Sequence, residues 1–146
     1  MAADHAAIFG RVMEEAFSKG DLKAVDTHFT PNFIEHEPGP GQGKGREGVK
    51  TIITAMRTAF PDLRCVVRDS GVSGDKLWAR VEFSGTNTGE MMGKPPTGKR
   101  ASFEAIDCVR FEGDKLAEHW GGAIDMFGLL IQLGHIPAPA PPASVH

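Results

Sequence analysis

From Leu63 to Ile124 the sequence is written in twos. In "KLWARVEF" the residues Leu77, Ala79, Val81 and Phe83 take one side, and Trp78, Arg80 and Glu82 the other. That alternation marks a half-buried strand. "LRCVVRDSGV" leads through "SGD" into this run, and "ASFEAIDCVRF" leads through "EGDK" into "KLAEHWGGAI". Each Gly-Asp pair is a turn signal between strand-like segments, so the second half of the chain is committed to antiparallel hairpins. "EMMGKPPTGKR" between them is a loop or flap, kept out of regular structure by Pro95, Pro96 and its glycines.

The first half follows another period. Asp4 is placed to cap a helix in which Ile8, Phe9, Val12, Met13, Ala16 and Phe17 recur at three- and four-residue spacing. Gly20 ends it. Asp21 can cap a short second helix with Leu22, Val25 and Phe29 inward, and Pro31 stops it. "NFIEHE" is a short extended piece. "PGPGQGKGREG" is a loop with no phosphate-binding pattern. A third helix spans Arg46 to Phe60, and Asp125 caps a last one, "MFGLLIQLG". Helices followed by strands define an α+β fold, a curved antiparallel sheet wrapped around three to four helices with an internal pocket between them. Residues 1–134 form one domain, and the Pro/Ala-rich 135–146 is expected to be an extended, mobile tail.

Composition narrows the function classes. A net charge of −3 over 146 residues gives no electrostatic reason to expect nucleic acid or an anionic membrane as a partner. No apolar run reaches the ~18 residues of a membrane span, and the amphipathic start lacks the form of a signal peptide, so the expected location is cytoplasmic. Cys65 and Cys108 sit among apolar neighbours without a metal or redox spacing and read as free thiols.

The second hairpin carries the one feature that points to chemistry. Ala105, Asp107, Val109 and Phe111 share a face, and on the return strand Ala117, His119 and Gly121 do; both faces of the hairpin are mixed, so alternation alone does not name the inward one. If the turn holds one extra residue, Asp107 lies opposite His119. A strict two-residue turn puts Asp107 opposite Trp120 instead. An ionisable pair on a core face either satisfies itself or transfers protons, through a carboxylate raised by an apolar cavity or a histidine poised near neutrality. Glu35 and His36 compete for a place in the same hollow. As neighbours on an extended segment they point opposite ways, so one of the two faces it. Two histidines and a carboxylate, His36, Asp107 and His119, suit a mononuclear metal, but they come from separated segments without diagnostic spacing, and no cofactor is called for.

In their order and spacing, "TPNFIEH", "GREGVK", "AFPDLR", "TGEMMGKPPTGKR", "DKLAEHW" and "GLLIQLG" resemble the SnoaL-like polyketide cyclases, the ester cyclase family, from about Ile8 to Gly134. That group shares the cone-shaped α+β fold of ketosteroid isomerase and nuclear transport factor. The resemblance implies a cofactor-free intramolecular aldol closure of a polyketide ring by an acid/base carboxylate. It places His119 at a pocket histidine, Asp107 where relatives carry another pocket histidine, Ala105 at a pocket glutamine and Glu35 near a pocket asparagine. The catalytic Asp of the anthracycline cyclases falls on Gly121. The carry-over therefore breaks at the acid/base position, and Asp107 is the candidate to have taken the role over.

The expected site is Asp107, His119 and His36 as catalytic groups, with Glu35, Met56, Phe60, Met91, Phe103, Ala105, Gly121 and Phe127 contacting a small hydrophobic substrate. Phe17, Val49 and Ile53 complete an apolar lining. Two alternatives stay open. One is an epoxide-opening hydrolase, which needs Arg80 between carboxylates inside the hollow. The other is a binding protein without chemistry. A homodimer through the uncovered sheet face is the expected assembly.

Overall fold

The computed structural model describes residues 4–141 and 143; residues 142 and 144–146, the end of the expected tail, lie outside the described residues. Helix α1 (His5–Val12) is capped by the Asp4 carboxylate on the Ala7 N–H and runs directly into a π-helical segment, Met13–Ser18. The wider turn is closed by Lys19 N–H donating to Glu14 O, and it keeps Met13 and Ala16 in register with the buried Ile8, Phe9 and Val12. Helix α2 (Lys23–His28) is shorter than the spacing suggests. Phe29 already belongs to strand β1 (Phe29–Glu35), where Pro31 is tolerated because β1 is an edge strand. Helix α3 (Gly45–Ala59) buries Gly48, Val49, Ile53 and Ala59 as one stripe.

Strands β2 (Arg64–Ser73), β3 (Lys76–Thr86), β4 (Arg100–Glu112) and β5 (Lys115–Ala123) form an antiparallel meander, and β1 joins its far edge parallel to β5. The order β1-β5-β4-β3-β2 leaves the curved sheet unclosed. Helix α4 (Met126–Gln132) follows, with the Asp125 carboxylate accepting from Gly128 N–H as its cap. The architecture is α+β, as the sequence implies; the parallel β1 is the one departure from an all-antiparallel sheet.

The inner face carries Leu77, Ala79, Val81, Phe83, Ala105, Val109 and Phe111 against α1 and α3, all buried. Phe83 and Phe103 stack with ring centres 5.1 Å apart, Phe17 meets Phe83 edge-on at 6.1 Å and Phe60 lies 6.5 Å from Phe103. This aromatic cluster fills the end of the hollow that the sequence assigns to a pocket. The outer face is uncovered and leaves Trp78 and Ile106 exposed. No helix among the described residues is long and apolar enough to cross a membrane.

Candidate active site

The β4–β5 register differs from both sequence alternatives. Glu112 pairs with Lys115 around a strict two-residue turn, and the extra residue is Ala117, bulged between the Phe111–Leu116 and Arg110–Glu118 pairs. The bulge shifts the return strand so that Val109 faces His119 and Asp107 faces Gly121. Asp107 and His119 thus lie on one face as diagonal neighbours, and their side chains close the gap. His119 Nε2 sits 2.7 Å from Asp107 Oδ1.

The second ring nitrogen is also held. Parallel pairing aligns Glu35 with His119, and His119 Nδ1 lies 2.7 and 2.8 Å from the two Glu35 oxygens. The result is a carboxylate–imidazole–carboxylate chain drawn from β1, β5 and β4. Asp107 is 7% exposed, and the side chains of Glu35 and His119 retain 11% and 18% of their exposure. Burial is the strongest single influence on the His119 ring and opposes its charge. Hydrogen bonds and charge from Asp107 and Glu35 together outweigh it and hold the pKa up at about 9. At neutral pH the ring therefore carries both protons and donates in both directions.

Free acceptor capacity is unequal along the chain. Both Glu35 oxygens take His119, and Oε1 also accepts from Glu37 N–H. Asp107 gives one oxygen to His119; its Oδ2 has no protein partner and is not among the fully enclosed unpaired polar atoms of the described residues. Oδ2 is the one carboxylate oxygen of this cluster left without a hydrogen-bond partner among the described residues.

The other expected site residues divide. His36 does not join the cluster: alternation along β1 sends Phe33 and Glu35 inward and Ile34 and His36 outward. There His36 stacks on Trp120 at 4.6 Å. The supposed set His36, Asp107 and His119 is split between two faces, and no three His, Cys, Asp or Glu side chains among the described residues are arranged to hold a metal ion. Arg80 is outside as well, bridging Asp69 and Glu104 on the open face, so the inward arginine of an epoxide-opening site is not there. Phe60 and Ala105 are buried, and Met56, Met91 and Phe103 pack partly buried against the core, as does Phe17, beside the buried Val49 and Ile53. Phe127 does not line the interior but is 60% exposed, because α4 turns Leu129 and Leu133 inward and Phe127 lies about 200° round the helix from Leu129.

Gly121 is set by backbone geometry. Its φ is +110°, and a Cβ built there meets Ile106 O at 2.1 Å. No side chain fits this backbone without moving the strand. Sequence reasoning undervalued Glu35. Phe33, two residues before it, marks the inward face, but Ile34 offers an equally apolar reading of the opposite one.

A curved, unclosed sheet backed by helices, with a carboxylate–histidine–carboxylate chain on its inner face, defines an α+β protein of cone shape. The chain belongs to the SnoaL-like polyketide cyclase family, whose profile matches residues 7–133. It is 28% identical to aklanonic acid methyl ester cyclase DauD of Streptomyces sp. (strain C5), across 93% of this chain and 91% of that protein. DnrD of Streptomyces peucetius, another aklanonic acid methyl ester cyclase, is 28% identical across 90% and 91%. Among solved structures, TsrD from Streptomyces laurentii superposes with a TM-score of 0.81 at 31% identity, covering 90% of this chain and 95% of that one.

Proposed function

We propose that the protein is a cofactor-free cyclase that closes a polyketide ring by intramolecular aldol addition, with Asp107 as the acid/base group. Asp107 Oδ2 takes a proton from the activated carbon. That carbon's electron pair forms the new C–C bond to the attacked carbonyl, and the resulting alkoxide recovers the proton from Asp107. Atoms and charge balance, and substrate and product are isomers. His119 is a positioning residue: it fixes Oδ1 and so aims Oδ2, while Glu35 fixes the ring from behind. The single observation carrying this reading is the 2.7 Å His119–Asp107 contact with Oδ2 left free.

The test is turnover of aklanonic acid methyl ester, the compound named for two relatives, by wild type and by Asp107→Asn. The variant is expected to lose about 10²–10⁴-fold in kcat, the usual worth of a positioned acid/base group. Turnover unchanged in Asp107→Asn removes the assignment.

The assembly we infer is a homodimer through the outer sheet face. Trp78, Cys108 and Trp120 align as one cross-strand row, with the Lys76–Arg110–Glu118 row on one side, the Arg80–Ile106 row on the other and Glu82–Glu104 one row further. A two-fold axis through the apolar row buries Trp78, Trp120 and Ile106 of both copies.

A further inference from the structure

A polycyclic substrate needs a few hundred Å³ of space beside Asp107, on the order of the ~300 Å³ at which ligand pockets begin. The inner face there is occupied: Ala105 is buried, and Phe103 is stacked on Phe83. Two surface clefts, of about 390 and 270 Å³, are lined by other residues and do not include Asp107, His119 or Glu35. Some element must move for the site to be filled.

The elements around Asp107 are unequally held. Strands β3 and β5 flank β4, the first through a continuous ladder and the second through one broken only by the bulge at Ala117. Helices α1 and α3 each insert several buried apolar residues. The flap between β3 and β4 is pinned at its base by Asn87, which is fully buried and uses both ends of its amide. Helix α4 is different. It starts three residues after Ala123, which pairs with Ala105, and it lies against the first part of β4, where β5 no longer reaches. Leu129 and Leu133 are its buried anchors, whereas Ile124, Met126 and Phe127 are exposed. The strand edge it covers is satisfied by one side chain: Gln132 Oε1 accepts from Ser102 N–H and Gln132 Nε2–H donates to Ser102 O, both at 2.9 Å. The 390 Å³ cleft opens at this junction, lined by Ser102, Phe103, Glu104, Ile124, Asp125 and Gln132 among others.

We propose that α4 is a hinged cover over the Asp107 site, pivoting at Ile124–Asp125 and latched to the free edge of β4 by the Gln132–Ser102 hydrogen-bond pair. Opening it uncovers Ala101, Phe103 and Ala105, an inward strip leading to Asp107 at about 7 Å per two residues. The cleft at the junction is where a flat polycyclic ligand first enters. The nature of that ligand rests on the proposed cyclase reading; the hinge and latch do not.

Hydrogen exchange on the whole protein reads the cover without any ligand. Amides of 126–134 and of Ser102 are expected to exchange well before those at the centre of β3 and β4, such as Val81 and Val109. In Gln132→Ala, Ser102 should lose about tenfold more protection, the worth of one hydrogen bond. Gln132→Glu, which keeps the acceptor and loses the donor, should fall between. Stopped-flow association of a hydroxyanthraquinone should accelerate in the same order. A merely structural contact would leave that rate unmoved. Protection of α4 equal to that of the β3–β4 centre, or an unchanged association rate with Gln132→Ala, overturns the cover. A probe that never binds counts against the cyclase reading, and the exchange pattern still decides α4.

Discussion

At the scale of the residue, the site is governed by one imidazole held between two carboxylates. Its consequence for stability has a definite sign. The folded pKa of His119, about 9, lies above its ordinary value of 6.5. Protonation therefore favours the folded state, fully below pH 6.5, and that contribution is lost as pH rises through 9. It amounts to about 3 kcal/mol at most. Urea midpoints measured from pH 6 to 9.5 should fall for the wild type and stay nearly level over that window for His119→Gln. Cys65, pushed up to about 12 by burial, adds its own loss only above its ordinary value of 9, so the lower part of the window reports His119. Gly121 belongs to this scale too. With Ile106 O where a Cβ would stand, backbone geometry closes position 121 to any side chain, and the carboxylate beside His119 is Asp107 of the neighbouring strand.

At the scale of the element, the flap between β3 and β4 shows how a polar side chain can organise an irregular segment. Asn87 Nδ2–H donates to Ala59 O and Gly89 O, and Oδ1 accepts from Thr97 N–H and Thr97 Oγ1–H. One buried amide thereby ties the end of α3 to both roots of the flap. At its tip Met92 and Gly93 both have positive φ, the geometry of a tight two-residue turn that disfavours Met. The strain is tolerated because the roots are fixed. Asn87→Ala should cost about 2–4 kcal/mol, from buried groups left unpaired, and should admit trypsin at Lys99 faster than in wild type. Equal urea midpoints and equal cleavage rates would show that the flap is held by something else.

At the scale of the whole molecule, an open sheet has one face too many. Helices cover the inner one, and the outer one is left with Trp78 45% and Ile106 39% exposed. A second copy on that face is tested by sedimentation. The wild type should run as a dimer at micromolar concentration, and Trp78→Glu, which sets a carboxylate in the apolar row, should run as a monomer with near-wild-type circular dichroism. A monomeric wild type would remove the proposed assembly.

The sequence by itself determined the element order, the buried face of β3, the caps at Asp4 and Asp125 and the family, because period, turn residues and capping are local properties of the chain. It also singled out Asp107 and His119. Only the tertiary structure decided how they meet. The bulge at Ala117 sets the register, and a bulge is a compromise between strand pairing and core packing that no local pattern fixes. The parallel seam between β1 and β5 brings Glu35 rather than His36 to the ring, since contacts across 84 residues depend on where a distant strand docks. Whether Phe127 faced in or out depended on which side of α4 met the core.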